Sequence, residues 1–430
     1  MTAVTALESA RAATKDSDLA KAEHLYKEIL SKPAGTSEKA IADQEIALYE
    51  LGALYRDHKK ITELEELVRL SRSIMSGLAK SKLAKISQRL GMLIGLLVRT
   101  LLDLFSTVPD SLDTQIRVTK ESIDWAVSER RNFLRQSLET RLVSLYIQSS
   151  AYYDALALIN TLLKELKRLD DKMVLVEVEL FESRVYHALR NIPKSRAALS
   201  SARTSANAIY CPTIMQANLD MQSGILHAED KDFKTAFSYF VEALEGFSSQ
   251  EDARAVSVLK YMLLCKIMLN LNDDVHSLLG GKMAQKYAGR DIEAMKAVAS
   301  AHSNRSLKEF EDALSTYHTE LSSDPIIRSH FTALYDTLLE QNLVRVIEPF
   351  SCVEITHVAE VVGLDTRQVE GKLSQMILDK VFYGVLDQGN GWLTVFDEPR
   401  EDATYVAALN TIKHMTTVVD LLYEKASKLN

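Results

Sequence analysis

The 430-residue chain predicts an all-α protein: a solenoid of helix pairs that ends in a winged helix, followed by one further helix. Three observations predict it. Glycine (15) and proline (7) are scarce for this length, whereas a strand-rich or loop-rich fold needs more turn residues. From about residue 5 to 340, helical patterns follow one another with short polar breaks and no strand run. Between Leu338 and Asp397 that pattern changes into two short helices and a pair of strands.

The helical part repeats. In SGILHAEDKDFKTAFSYFVEALEGF, Gly224, Phe233, Ala236, Phe240 and Ala243 fall on the spacing of a tetratricopeptide helix pair. Small residues there let two helices cross closely, and aromatic rings fill the groove beside them. Leu51-Gly52-Ala53-Leu54-Tyr55 matches the L-G-x-x-Y part of the same signature. Fainter echoes sit about 40 residues apart, at Tyr146, Tyr152, Ala155 and Ile159, then at Tyr186, Ser195, Leu199 and Ala202. Phe310, Ala313 and Tyr317 end the series. The period exceeds the 34 residues of standard repeats, so the helices are longer. Each pair buries its apolar face only by stacking on its neighbours, and these positions read as packing residues.

Asp324-Pro325 starts a helix expected over Ile326 to Gln341. Two short helical patterns then meet at Gly363-Leu364, where Asp365 or Thr366 can cap the second. VFYGVL and WLTVF, rich in β-branched and aromatic residues, flank the turn Asp387-Gln388-Gly389-Asn390-Gly391. Helix-turn-helix followed by a hairpin is a winged helix. After Glu398-Pro399 a last helix is expected from about Glu401 to Lys428. Tyr405, Ala408, Ile412, Met415, Val419, Leu422, Ala426 and Leu429 alternate in steps of three and four, a coiled-coil seam. Leu409, Val418, Leu421 and Tyr423 widen it, and a bundle with other chains fits so wide a stripe better than packing on its own domain.

Composition excludes several functions. The net charge of −8, with both signs well mixed, argues against a dedicated nucleic-acid binder. Ser351 to Glu398 holds only Arg367, Lys372 and Lys380 against eight acids, a balance that repels phosphate. Cys211, Cys265 and Cys352 are far apart and form no CxxC, which points to a reduced compartment. The N-terminal residues lack the apolar core of a signal peptide. Leu90 to Val98, bracketed by Arg89 and Arg99, is too short to span a bilayer. The chain is expected in the cytoplasm and nucleus, away from membranes.

Catalytic motifs are missing. Gly280-Gly281-Lys282 lacks the first glycine and the Ser/Thr of a phosphate loop, and no GxSxG occurs. The ten histidines form no HExxH or HxH, so no metal, cofactor or catalytic residues are assigned. His357 reads as a packed or hydrogen-bonded residue of the winged helix. One basic feature stands out: Leu67 to Leu102 holds no Asp or Glu, yet has Arg69, Arg72, Lys80, Lys82, Lys85, Arg89 and Arg99. It is either a solvated face beside an acidic neighbour in its own solenoid or a docking strip for an acidic partner.

Helical repeats feeding a winged helix resemble the PCI domain of the proteasome lid, the signalosome and a translation initiation factor complex. The local phrases are closer to one family within that group. Thr140 to Tyr146, ANAIYCP (Ala206 to Pro212), LDMQSGI (Leu219 to Ile225), LKYMLLCKIMLN (Leu259 to Asn270) and YAGR (Tyr287 to Arg290) resemble a non-ATPase proteasome lid family. So do LLEQNLVRVIEPFS (Leu338 to Ser351), KLSQMILDK (Lys372 to Lys380) and GVLDQG (Gly384 to Gly389). The family is called regulatory subunit 11 in animals and regulatory particle subunit 6 in yeast. The phrases run from about residue 130 to the end, and over the first 120 residues only the repeat style agrees.

The resemblance implies an all-α solenoid of tetratricopeptide-like helix pairs ending in a winged-helix (PCI) domain and a C-terminal helix. It divides into N-terminal repeats at 1–220, repeats of the PCI module at 221–325, the winged helix at 326–398 and a bundle helix at 399–430. It also implies a scaffold that clamps the regulatory particle to the core particle in ubiquitin-dependent degradation. Its partners would be other lid PCI subunits, the ATPase ring and the core α-ring. Winged helices join edge to edge through strands carrying Val381, Tyr383, Val385 and Val395. The C-terminal helices gather through Tyr405, Ile412, Met415, Val419 and Leu422, and Lys80, Lys82, Lys85 and Arg89 are candidates for the docking strip. A scaffold of the signalosome or initiation factor complex is the nearest alternative, and a nucleic-acid-binding winged helix is the alternative from another class.

Overall fold

The computed structural model describes residues 7, 9–11, 14, 19–31, 38–58, 60–79, 100, 103, 112–287, 289–322, 324–396 and 403–428. The chain forms two compact units, Met1–Asp252 and Ala253–Asn430.

In the first unit the described helices are α1 (Leu19–Ser31), α2 (Glu38–Asp57), α3 (Ile61–Ala79), α4 (Leu112–Ser128) and α5 (Asn132–Gln148). They continue with α6 (Tyr152–Leu169), α7 (Lys172–Ala188), α8 (Ile192–Asn207), α9 (Thr213–Glu229) and α10 (Phe233–Ser249). The core is a series of clusters, as expected where each pair is covered by the next. Tyr26, Leu51, Tyr55, Leu64 and Val118 belong to one. Val143, Ile159 and Leu162 belong to a second, and Leu199, Ala202 and Leu219 to a third.

The turns explain the long period. Arg130, Ser150, Asp170 and Arg190 all have positive φ and stand twenty residues apart. Each follows a helix of 17 or 18 residues, so two helices and two turns make the 40-residue repeat. Beyond most of these positions the next N–H reaches back five residues: Arg131 donates to the Ala126 carbonyl at 2.9 Å, Ala151 to Tyr146 at 2.9 Å and Asn191 to Tyr186 at 2.9 Å. This bond closes the last turn and satisfies a carbonyl that would otherwise be left over. The chain then starts the next helix at once. Asn191 accepts from the Lys194 N–H at 3.4 Å, and Asp232 from the Thr235 N–H at 3.3 Å.

The α9–α10 pair carries the small-residue crossing. Ala236, Phe240 and Ala243 are buried. A Cβ built on Gly224 would lie 2.6 Å from Phe240 Cε1, so only glycine admits the ring there. Polar groups also tie the stack: Arg203 of α8 donates to Asp220 of α9 at 2.5 Å and to the Tyr239 hydroxyl of α10 at 3.0 Å.

The second unit opens with α11 (Arg254–Met268), α12 (Asn272–Gly280), α13 (Lys282–Lys286), α14 (Arg290–Ser303), α15 (Leu307–Thr316) and α16 (His318–Ser322). The helix expected at 326–341 is longer, α17 (Pro325–Ile347). Asp324 caps it by accepting from the Ile326 N–H at 3.0 Å. Its other carboxylate oxygen accepts from the Tyr261 hydroxyl at 2.5 Å, which pins the start of α17 to α11. Phe310 and Phe331 pack edge to face, with ring centroids 6.1 Å apart.

The winged helix follows as β1 (Cys352–Glu354), α18 (Ile355–Val362), α19 (Thr366–Leu378), β2 (Tyr383–Asp387) and β3 (Trp392–Phe396). Gly363 takes φ +79° between the two short helices, and Asp365 stands at the N-cap of α19. The first strand was not legible in the sequence: three residues give no alternation to read. It pairs with β3, making an antiparallel sheet of order β1-β3-β2. The last helix is α20 (Ala403–Ser427).

Candidate assembly surfaces

The sheet has two faces of different character. Directly paired residues share a face, and faces alternate along a strand. Val353, Leu393 and Leu386 lie in one cross-strand row, and Val353 and Leu393 are buried in the wing core with Val369, Leu373 and Met376. On the other face, Cys352, Thr394 and Val385 form one row and Glu354, Trp392 and Asp387 the next, with Phe396 opposite Tyr383 beyond them. Trp392, Phe396 and Val385 on this face are all more than half exposed. The alternation in WLTVF could have shown this face.

The strand order corrects the expected edge. Val395 belongs to the central strand β3, opposite Gly384 of β2, and its N–H donates to the Ser351 carbonyl at 2.9 Å. It points to the inner face and cannot offer a free edge. Among the described residues the outer side of β2, which carries Tyr383 and Val385, pairs with no strand, and Val381 lies just before it. A Cβ on Gly384 would lie 2.8 Å from the Thr394 carbonyl oxygen, so glycine lets β2 and β3 approach here. The hairpin turn is held by Asp387, whose carboxylate accepts from the Gly389 and Asn390 N–H groups at 3.0 and 3.2 Å and from Asn390 Nδ2 at 2.9 Å. These bonds, the Asn390 side chain foremost, hold its pKa below the ordinary carboxylate value.

Helix α20 stands apart. Every residue from Thr404 to Lys428 is exposed. Its seam positions Tyr405, Ile412, Met415, Val419 and Leu422 are 59–64% exposed, and the widening residues Leu409, Val418, Leu421 and Tyr423 are exposed beside them. A 25-residue helix with that much apolar surface covers none of it on its own unit.

The basic strip divides. Lys80, Lys82, Lys85, Arg89 and Arg99 lie outside the described residues. Arg69 is paired within its own solenoid, with Glu65 at 2.8 Å and Glu121 at 2.9 Å, and Arg117 reaches the same Glu65 at 2.5 Å. At this position the strip lies beside acidic neighbours of its own solenoid. His357, expected to be packed, is exposed on α18. Burial pushes the Cys265 thiol up to about 12, which disfavours the reactive thiolate. Among the described residues no three His, Cys, Asp or Glu side chains gather into a metal site, and no helix is long and apolar enough to cross a membrane.

The chain is similar in sequence to known proteins. Residues 3–149 match the family model described as the 26S proteasome regulatory subunit RPN6 N-terminal domain, residues 314–397 the PCI domain, and residues 401–427 the 26S proteasome subunit RPN6 C-terminal helix domain. The probable 26S proteasome regulatory subunit rpn6 of Schizosaccharomyces pombe is 59% identical over 100% of both chains. The chain belongs to the RPN6 family. The 26S proteasome regulatory subunit RPN6 of Saccharomyces cerevisiae is 51% identical over 98% of each chain. The 26S proteasome non-ATPase regulatory subunit 11 homolog of Arabidopsis thaliana is 49% identical over 94% of this chain and 93% of its own length. The match at 3–149 corrects one expectation: kinship with the RPN6 family extends through the N-terminal repeats and is not confined to residues after 130.

Proposed function

We propose that this chain is a non-catalytic scaffold subunit of the proteasome regulatory lid, supporting lid assembly in ubiquitin-dependent degradation. The observation that carries the reading is α20: a helix matching the RPN6 C-terminal helix domain exposes its described apolar seam. Its large seam side chains, Tyr405, Ile412, Met415, Val419 and Leu422, are worth roughly 1.5–3 kcal/mol each once fully covered, a gain that assembly can supply. The lid's other PCI subunits supply the covering helices, and the outer side of β2 supplies a second joint by strand addition. Lys80, Lys82, Lys85 and Arg89 extend the contact to the acidic surface of the ATPase ring or core α-ring. The subunit works in cytoplasm and nucleus, wherever the assembled particle does.

Native mass spectrometry of the lid purified with full-length Ile412→Asp/Met415→Asp tests the reading. Both positions are exposed in the structure, so the free chain stays folded, as circular dichroism shows, while lid incorporation falls. Wild-type incorporation of the folded variant would refute it.

A further inference from the structure

The second unit exposes two apolar surfaces that belong to one short stretch of chain. One is the outer face of the wing sheet, where Trp392, Phe396 and Val385 are 53–57% exposed beside Tyr383 and Cys352. The other is the seam of α20. Single chains rarely leave surfaces of this kind in water. On the scaffold reading, other chains cover α20 in an assembled particle. Before assembly, the chain must cover it alone or expose it.

We propose that in the free, unassembled chain α20 folds back along the outer face of its own wing sheet, and that assembly releases it. This goes beyond the scaffold reading and concerns the isolated subunit.

Three features select this occupant. The first is reach. Six residues separate Phe396 from Ala403, and six extended residues span about 20 Å, enough to reverse the chain over the sheet. So short a connection also gives a local concentration of about a millimolar, which favours the chain's own helix over a second copy in dilute solution. The second is shape. The three strands cover about 10 Å across, close to the width of one helix.

The third is charge. From Phe396 back to Trp392 is four strand residues, about 13 Å, which nine helical residues also cover. A helix that begins over Phe396 and Tyr383 therefore places Lys413 beside the Trp392 row. That row is flanked by Glu354 and Asp387. The apolar seam meets the apolar rows, and the lysine arrives where the face turns acidic.

Cys352 lies on this face, exposed, and serves as a built-in reporter. The test is alkylation of Cys352 by a maleimide in the free full-length chain at submicromolar concentration, read by peptide mass mapping. Docking should slow the reaction about tenfold relative to Ile412→Glu/Met415→Glu, a bias of about 1.4 kcal/mol. Lys413→Glu should speed it, and adding Glu354→Lys should restore protection. Far-UV circular dichroism checks that α20 stays helical in each variant. Equal rates in the wild type and the seam variant would overturn the proposal. So would protection that grows with protein concentration, which would identify a second copy as the occupant, or failure of Glu354→Lys to restore it. None of these outcomes depends on the lid, so they stand apart from the test of lid incorporation.

Discussion

A missing methyl group decides how closely α9 and α10 cross. Gly224 faces Phe240, a ring 1% exposed with nowhere to move. Gly224→Ala should therefore cost about 1–3 kcal/mol, the usual range for overpacking, against the small gain in helix propensity. Chemical denaturation checks it, and a neutral outcome would mean the crossing is looser than the distances imply. The turns invite the opposite change. Lys231 holds φ +64° with an exposed side chain, in a region that costs an L-residue about 1–2 kcal/mol. Lys231→Gly should relieve part of that and raise stability by about 0.5–1 kcal/mol, after the entropy glycine adds to the unfolded chain. Gly224 and its partners were legible in the sequence because small and aromatic residues at fixed helical spacing have few other uses. The left-handed turn residues were not, because Arg130, Ser150, Asp170 and Arg190 share a backbone conformation and no side-chain chemistry.

Between elements, polar pairs fix angles that apolar packing leaves loose. Asp324 both caps α17 and accepts the Tyr261 hydroxyl. Burial foremost, with the neighbouring carboxylate, pushes the tyrosine pKa up, which favours the protonated hydroxyl that donates this bond. Tyr261→Phe leaves Asp324 with its cap but without that donor, and should lower stability by about 1.5–3 kcal/mol, as for hydrogen bonds to charged groups. His302 of α14 acts with pH. It is buried, and burial with Arg305 nearby lowers its pKa from the ordinary value. The unfolded chain then binds the proton more readily than the folded one. The stability from a neutral His302 is therefore full above about pH 6.5 and is lost as pH falls below it. His302→Gln should flatten that part of the pH–stability profile relative to the wild type; parallel profiles would show that other groups dominate. The helices of the second unit could be read from period and caps. The order of the sheet could not, because β1 is three residues long and its partner β3 lies about 40 residues away. That one unread strand turned Val395 from an expected edge into the centre of the sheet.

For the whole molecule, the sequence showed where apolar surface would be left over but not the position of every charge. The seam of α20 follows a period that survives without any partner in view, which is why it could be read directly. The strip from Leu67 to Leu102 cannot, since a run without acids says nothing about acids brought near by folding, and Arg69 does find two of them. The remaining lysines decide between internal pairing and docking. If the strip docks an acidic surface of the core particle or an ATPase, Lys80→Glu/Lys82→Glu/Lys85→Glu should spare lid incorporation but loosen the lid-bearing particle from the core. The loss should vary with ionic strength, because exposed charges are screened beyond about 8–10 Å at physiological salt. If the strip pairs inside its own solenoid as Arg69 does, the triple variant should melt earlier and leave the capped fraction of core particles unchanged. Melting temperature and capped fraction, measured on the same preparation at two salt concentrations, separate the two. An unchanged capped fraction removes docking through these lysines and leaves α20 and β2 to carry the assembly.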